Sequence, residues 1–171
     1  MADFQKPKDP NWVTTFSMKR NADKTPGDSK PDFISVDSDK INQKTGKPYR
    51  KNFTIKMDGQ EVYKFAVREV PLILEELLMA NQTSPDSLDW LLLHQANKRI
   101  LDSVADRFSI PQEKVLSNLS KYGNTSAATI PLMLDEAVRD NLVKPGHLIA
   151  SSGFGAGLSW GAALFRWQGP F

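Results

Sequence analysis

From residue 59 onward the hydrophobic period switches repeatedly between that of a helix and that of a buried strand, and this alternation narrows the open folds more than any other feature. Val62, Phe65, Ala66, Val70, Ile73, Leu74, Leu77 and Leu78 recur at three- and four-residue spacing, the stripe of an amphipathic helix, with Pro71 placed to kink it. The run Leu88-Asp89-Trp90-Leu91-Leu92-Leu93 is short, almost wholly apolar and bounded by polar residues, as in a strand buried on both faces. A second helix is predicted over 96–108, with Ile100, Val104 and Phe108 on one side, then a strand over 115–119. A loop at 121–125 leads to a third helix over 127–141 with Ile130, Leu134 and Val138 along its stripe. Lys144-Pro145-Gly146 turns into an apolar strand over 147–150, and a glycine-rich turn at 153–157 precedes a last strand over 161–167. The order helix, strand, helix, strand, helix, strand, turn, strand predicts an α/β sheet covered by helices, its closing pair antiparallel.

The first 56 residues read differently. Lys6-Pro7, Asp9-Pro10, Thr25-Pro26-Gly27 and Gly46-Lys47-Pro48 mark turns, and short alternating runs over 12–16, 33–36 and 53–57 are strand candidates. The predicted division is a polar, irregular arm or insertion over 1–56 and one domain over 57–171. Charge follows the same divide, with 12 Lys+Arg against 8 Asp in residues 1–58 and 10 against 12 acidic residues in 59–171. That basic bias suits either a solvated segment or attraction of an acidic partner, and no interleaving of basic and aromatic residues points to nucleic acid. No run reaches the roughly 18–20 apolar residues that span a membrane, and the N-terminal residues lack the apolar stretch of a secretory signal. An intracellular protein is expected. Zero cysteines exclude disulfides, thiolate metal sites and a cysteine nucleophile on this chain, and two histidines 53 positions apart make no metal site.

Three segments at strand ends carry residues able to do chemistry. His94 follows the buried strand and precedes a helix; its ring either finds a backbone partner or projects into a cleft, where a neutral imidazole donates one hydrogen bond and accepts another. Asn97, one turn later, reads from its spacing alone as an ordinary first-turn residue. Asn124, in Tyr122-Gly123-Asn124-Thr125-Ser126, is either a turn residue before a helix or a carboxamide whose N–H points into the same cleft. Two fixed donors on one oxygen would stabilise an oxyanion or enolate. Ser152-Gly153-Phe154-Gly155-Ala156-Gly157 lacks the spacing of a dinucleotide fingerprint; it serves a hairpin, or exposes backbone N–H groups to a carbonyl, or both. No nucleophile elbow is present.

Taken together, His94-Gln95-Ala96-Asn97, Gly123-Asn124-Thr125-Ser126-Ala127-Ala128 with the segment 131–137, and the glycine-rich segment 153–161 resemble the C-terminal signature of the β-ketoacyl-acyl carrier protein (ACP) synthase III family. The segment 57–67 resembles the start of that same half. The resemblance, over about residues 57–167, implies the C-terminal half of a thiolase-like fold, a βαβαβαββ-type mixed sheet with covering helices, normally paired with a similar N-terminal half and found as a homodimer. It implies an enzyme that takes an acyl group from acyl-CoA onto a cysteine of the N-terminal half and condenses it with malonyl-ACP, releasing CO2 and CoA, as type II fatty acid synthesis begins. No cofactor is implied; the CoA thioester and malonyl-ACP are substrates. His94 and Asn124 match the His and Asn of the family's Cys-His-Asn triad, and the backbone N–H of Ala156, where the family often has Gly, matches an oxyanion-hole donor. Asn97, Tyr63 and Phe154 match substrate- and CoA-binding positions, and Lys64 and Arg99 match basic residues that meet acidic ACP. The location implied is the bacterial cytoplasm or the plastid stroma.

This chain departs from the family in having no cysteine, in lacking the N-terminal half and in its Lys-rich stretch around 40–51. It is therefore expected to be inactive alone and to need that half as a partner. A half by itself is expected to expose the apolar sheet face that packs on its twin. The rival expectations are a non-catalytic acyl-CoA or ACP binding module, or a truncated gene product.

Overall fold

The computed structural model describes residues 57–169 and, before them, the backbone of three strands: β1 (Thr14–Arg20), β2 (Ile34–Asp37) and β3 (Thr54–Met57). The four expected turns of the arm and its Lys-rich stretch lie outside the described residues. Next come α1 (Gly59–Ala80), β4 (Trp90–Leu93), α2 (Lys98–Arg107), β5 (Val115–Leu116), a short α3 (Leu119–Tyr122), α4 (Thr129–Arg139), β6 (Leu148–Gly155) and β7 (Ser159–Arg166). The alternation is the one the hydrophobic periods predict, and the fold is that of a thiolase-like C-terminal half.

The main sheet runs in the order β1-β7-β6-β4-β5. Strands β5, β4 and β6 are parallel, β7 returns antiparallel to β6, and β1 closes the edge antiparallel to β7 with Thr14 opposite Phe165 and Arg20 opposite Ser159. A polar segment with no helix-period stripe thus contributes a full edge strand. Strands β2 and β3 form a separate antiparallel pair.

Period-two alternation within β4 distributes its side chains to two cores. Leu91 and Leu93 join Val70, Ile73, Leu77, Ile100 and Val104 under α1 and α2, while Leu92 joins Ile149, Met133 and Ala137 under α4. Both faces therefore carry a helix. This corrects the expectation of an exposed apolar sheet face: among the described residues, the exposed large apolar side chains are Leu72 and Met79 of α1, Leu132 of α4, and Met57, Tyr122 and Leu142. The reason is local, since Met133 and Ala137 of α4 pack onto Leu92 and Ile149.

Helix α1 opens on Asp58, whose Oδ1 accepts the N–H groups of Gln60 and Glu61 at 3.1 Å each. It continues unbroken past the buried Pro71. Two strand expectations shift. β5 stops after Leu116 because Ser117 and Asn118 turn the chain into α3, and β6 runs on through Gly153 and Gly155, which pair with Gly161 and Ser159.

Candidate functional site

His94 is fixed from the backbone outward. It follows β4 directly, and its N–H donates to the Ser152 carbonyl at 2.8 Å, extending the β4–β6 ladder by one bond. The next residue, Gln95, is wholly buried. Its Nε2 donates to the carbonyls of Leu93 (2.8 Å) and Leu116 (3.2 Å), and its Oε1 accepts the Ser117 hydroxyl at 2.9 Å. A buried amide satisfied in this way ties the turn carrying His94 to the turn after β5.

The imidazole of His94 is half-buried, and Phe154 meets it edge to face at 5.3 Å between centroids. Phe154 in turn meets Phe65 at 6.2 Å, and Phe65 meets Trp160 at 5.1 Å, so an aromatic wall from β6, α1 and β7 backs the ring. Gly153 lies alongside, where a Cβ would stand 3.4 Å from Ile130 Cδ1 and 3.9 Å from the His94 Cβ. Burial pushes the His94 pKa below the usual histidine value, because the charged form loses water. The ring is neutral near pH 7.

Asn124 is aimed by the chain before and after it. Gly123 holds φ 66° and ψ −157°, a conformation reserved to glycine, and so ends α3 with a sharp turn. The Asn124 Oδ1 then accepts the Ser126 N–H at 2.9 Å. An N–H can only donate, so this bond fixes the amide orientation and leaves the Nδ2 donor end pointing away from the turn. Ser126 itself is held at φ 57°. Its carbonyl accepts the Thr129 N–H and lies 3.0 Å from Thr129 Oγ1, and Thr129 Oγ1 lies 2.6 Å from His94 Nδ1. His94 and Asn124 therefore belong to one hydrogen-bonded frame, running His94, Thr129, Ser126, Asn124. Asn124 is exposed and Thr129 is buried.

The remaining candidates sit around this frame. Asn97 is the N-cap of α2, its Oδ1 accepting the Ile100 N–H at 3.0 Å, which leaves its amide N–H groups free to donate. The Arg99 guanidinium lies over the Tyr63 ring at 4.7 Å, joining the second turn of α1 to the first turn of α2. Lys64 is exposed and pairs with Glu61 at 2.7 Å. Ala156 is exposed in the turn between β6 and β7, and no hydrogen bond joins it to His94 or Asn124 among the described residues. Sequence reasoning missed Thr129 and Gln95. Both lie next to motif residues, but a buried hydroxyl and a buried amide are told from ordinary helix-start and loop residues only by what they touch.

Glu136 of α4 steadies the loop before Asn124. Its carboxylate accepts from Asn118 Nδ2 at 2.9 Å and from Lys121, with the Tyr122 hydroxyl at 3.4 Å. The Lys121 ammonium, followed by Asn118, holds the Glu136 carboxyl below its ordinary pKa.

Comparison with known proteins places this arrangement. A family model described as 3-oxoacyl-[acyl-carrier-protein (ACP)] synthase III C terminal matches residues 78–167. The chain is 79% identical over 116 residues to a β-ketoacyl-[acyl-carrier-protein] synthase III of Prochlorococcus marinus (strain MIT 9313), covering 68% of this chain and 34% of that protein. It is 76% identical over 116 residues to the Synechococcus sp. (strain WH7803) protein of the same name, again covering 68% and 34%. The chain thus spans about a third of the length of the curated relatives it matches. Among solved structures, 3-oxoacyl-[acyl-carrier-protein] synthase III from Aquifex aeolicus VF5 superposes with a TM-score of 0.76 at 34% identity, covering 95% of this chain and 46% of that one. The Pseudomonas aeruginosa PAO1 protein gives 0.75 at 31%, covering 91% and 44%. A strand-end histidine, an asparagine locked by an Asx turn and the glycine-rich β6–β7 hairpin thus stand within a matched domain, and the chain belongs to the 3-oxoacyl-[acyl-carrier-protein] synthase III family through that family's C-terminal domain.

Proposed function

We propose that this chain supplies the His and Asn half of the active centre that joins an acyl group, delivered as its CoA thioester, to malonyl-ACP with loss of CO2, the step that begins type II fatty acid synthesis. The observation that carries this reading is the hydrogen-bonded frame linking His94 to Asn124 through the Thr129 hydroxyl, the Thr129 backbone N–H and Ser126. Loss of CO2 from a malonyl thioester leaves negative charge on the thioester oxygen. An Nε2–H from His94 and an Nδ2–H from Asn124, both fixed beforehand, stabilise that charge without reorganising in the transition state. The Ala156 backbone N–H serves the carbonyl of the acyl thioester, and Asn97, Tyr63 and Phe154 receive the pantetheine arm and acyl group. Arg99, stacked on Tyr63, and Lys64 meet the acidic carrier protein. The pairing of Lys64 with Glu61 leaves Arg99 the stronger attractant, and both act mainly on the rate of encounter.

The acyl group itself needs a thiol. This chain has none, so the thiol comes from an N-terminal half in the same assembly, with a homodimer as the expected form. In this reading CoA thioester and malonyl-ACP are substrates, no cofactor takes part, and the setting is the bacterial cytoplasm or plastid stroma. Among the described residues no helix is long and apolar enough to cross a membrane. The purified chain is expected to form no acetoacetyl-ACP from acetyl-CoA and malonyl-ACP, and to gain that activity when a cysteine-bearing N-terminal half of a relative is added. Product from the chain alone would contradict the dependence on a supplied thiol. The absence of cysteine also favours a second reading, a non-catalytic acyl-CoA or ACP binding module. Binding of malonyl-ACP without CO2 release, even with the added half, would select it.

A further inference from the structure

Thr129 is the only described residue hydrogen-bonded to the His94 ring, and it is 2% exposed, so water cannot take its place. A neutral imidazole carries one proton on either nitrogen, and the partner of one nitrogen decides which face of the ring donates. We propose that Thr129 is a positioning residue that gives its hydroxyl proton to His94 Nδ1 and so keeps the ring's own proton on Nε2. The proposal deepens the reading of His94 as a donor to a thioester oxygen and rests on it for its purpose, though not for its test.

The hydroxyl has one proton and two acceptors within reach, His94 Nδ1 at 2.6 Å and the Ser126 carbonyl at 3.0 Å. Three observations send it to the ring. The Ser126 carbonyl already accepts the backbone N–H of Thr129. A separation of 2.6 Å suits a hydroxyl donor, whose bonds run from about 2.5 to 3.0 Å, and is short for a ring N–H donor, whose bonds run from about 2.7 to 3.2 Å. A ring nitrogen is also a more basic acceptor than an amide carbonyl. Both partners are rigid: Thr129 is β-branched within the first turn of α4, and the ring stands edge-on to Phe154. The His94 Nε2 has no hydrogen-bond partner among the described residues, so the proton placed there remains available to a ligand.

The chain carries its own reference for the test. It has two histidines, and His147 Nδ1 receives both the Trp90 Nε1–H at 3.0 Å and the Lys144 backbone N–H at 3.2 Å. Neither donor can accept, so the neutral His147 ring carries its proton on Nε2. Long-range 1H–15N correlation of the 15N-histidine-labelled chain at pH 7.5 should give the Nε2-protonated pattern for both rings. In Thr129→Val the His94 nitrogens should shift toward an averaged or Nδ1-protonated pattern while His147 keeps its own, and the His94 titration midpoint should rise because the neutral ring has lost a hydrogen bond. Thr129→Ser should restore both. A wild-type His94 protonated on Nδ1, or a Thr129→Val spectrum unchanged at His94, would overturn the proposal. Should the valine variant not fold, Thr129→Ala supplies the same comparison, with the same shift at His94 expected and an unchanged His94 pattern overturning the proposal. A ring protonated on Nε2 in an assembly that fails to decarboxylate malonyl-ACP would remove the functional reading and leave the role of Thr129 standing.

Discussion

A half-buried imidazole at a strand end loses water on taking up a proton. At His94 burial lowers the proton affinity, and no charged side chain contributes. The consequence for stability has a definite sign. The unfolded chain binds a proton at this position near pH 6.5, whereas the folded chain binds it only at lower pH. The contribution is complete above about pH 6.5 and is lost as the pH falls through the lower, folded value. Thermal melts between pH 7.5 and 5 should show the midpoint of the wild-type chain falling more steeply than that of His94→Gln; equal slopes would mean that the ring is not desolvated. The same neutral ring suits a hydrogen-bond donor whose charge must not change while a substrate waits. Asn124, with its carbonyl oxygen committed to the Ser126 N–H, has the same property without titrating at all.

At the scale of the elements, two clips hold the corners that carry His94 and Asn124. Gln95 joins the turn after β4 to that after β5, and Glu136 joins the loop before Asn124 to α4. Gln95→Leu keeps the volume but strands two backbone carbonyls, and each unsatisfied buried group costs about 1–3 kcal/mol. Urea denaturation should therefore show a loss of at least about 2 kcal/mol with an unchanged m-value. A loss below about 0.5 kcal/mol would mean that the clip is replaced by other partners or by water. The helices and buried strands were legible because burial imposes its period on the sequence: the α1 stripe and the run 88–93 read directly. Their ends were less so. Asn97 reads as first-turn material until its cap bond is seen, and the glycines of 153–155 read as a turn although they continue β6. A capping bond and a strand pairing are contacts, and contacts leave little trace in local composition.

Across the whole molecule, the pairing of β1 with β7 joins residues 139 to 151 positions apart, a match that no local pattern announces. The frame from His94 to Asn124 is similar in kind. Each motif was visible, but Thr129, which bridges them, sits at the start of α4 and looks like any helix-start hydroxyl. What the fold accomplishes is to bring a corner of β4 and a loop before α4 to one hydrogen-bonded frame, with an aromatic wall behind the imidazole. The most direct test uses this chain assembled with a cysteine-bearing N-terminal half, following CO2 release from carboxyl-labelled malonyl-ACP. His94→Ala and Asn124→Ala should each slow decarboxylation by on the order of 100- to 1000-fold, as loss of an oxyanion donor does. Decarboxylation within a few fold of wild type in either variant would contradict the claim that these two side chains hold the thioester oxygen.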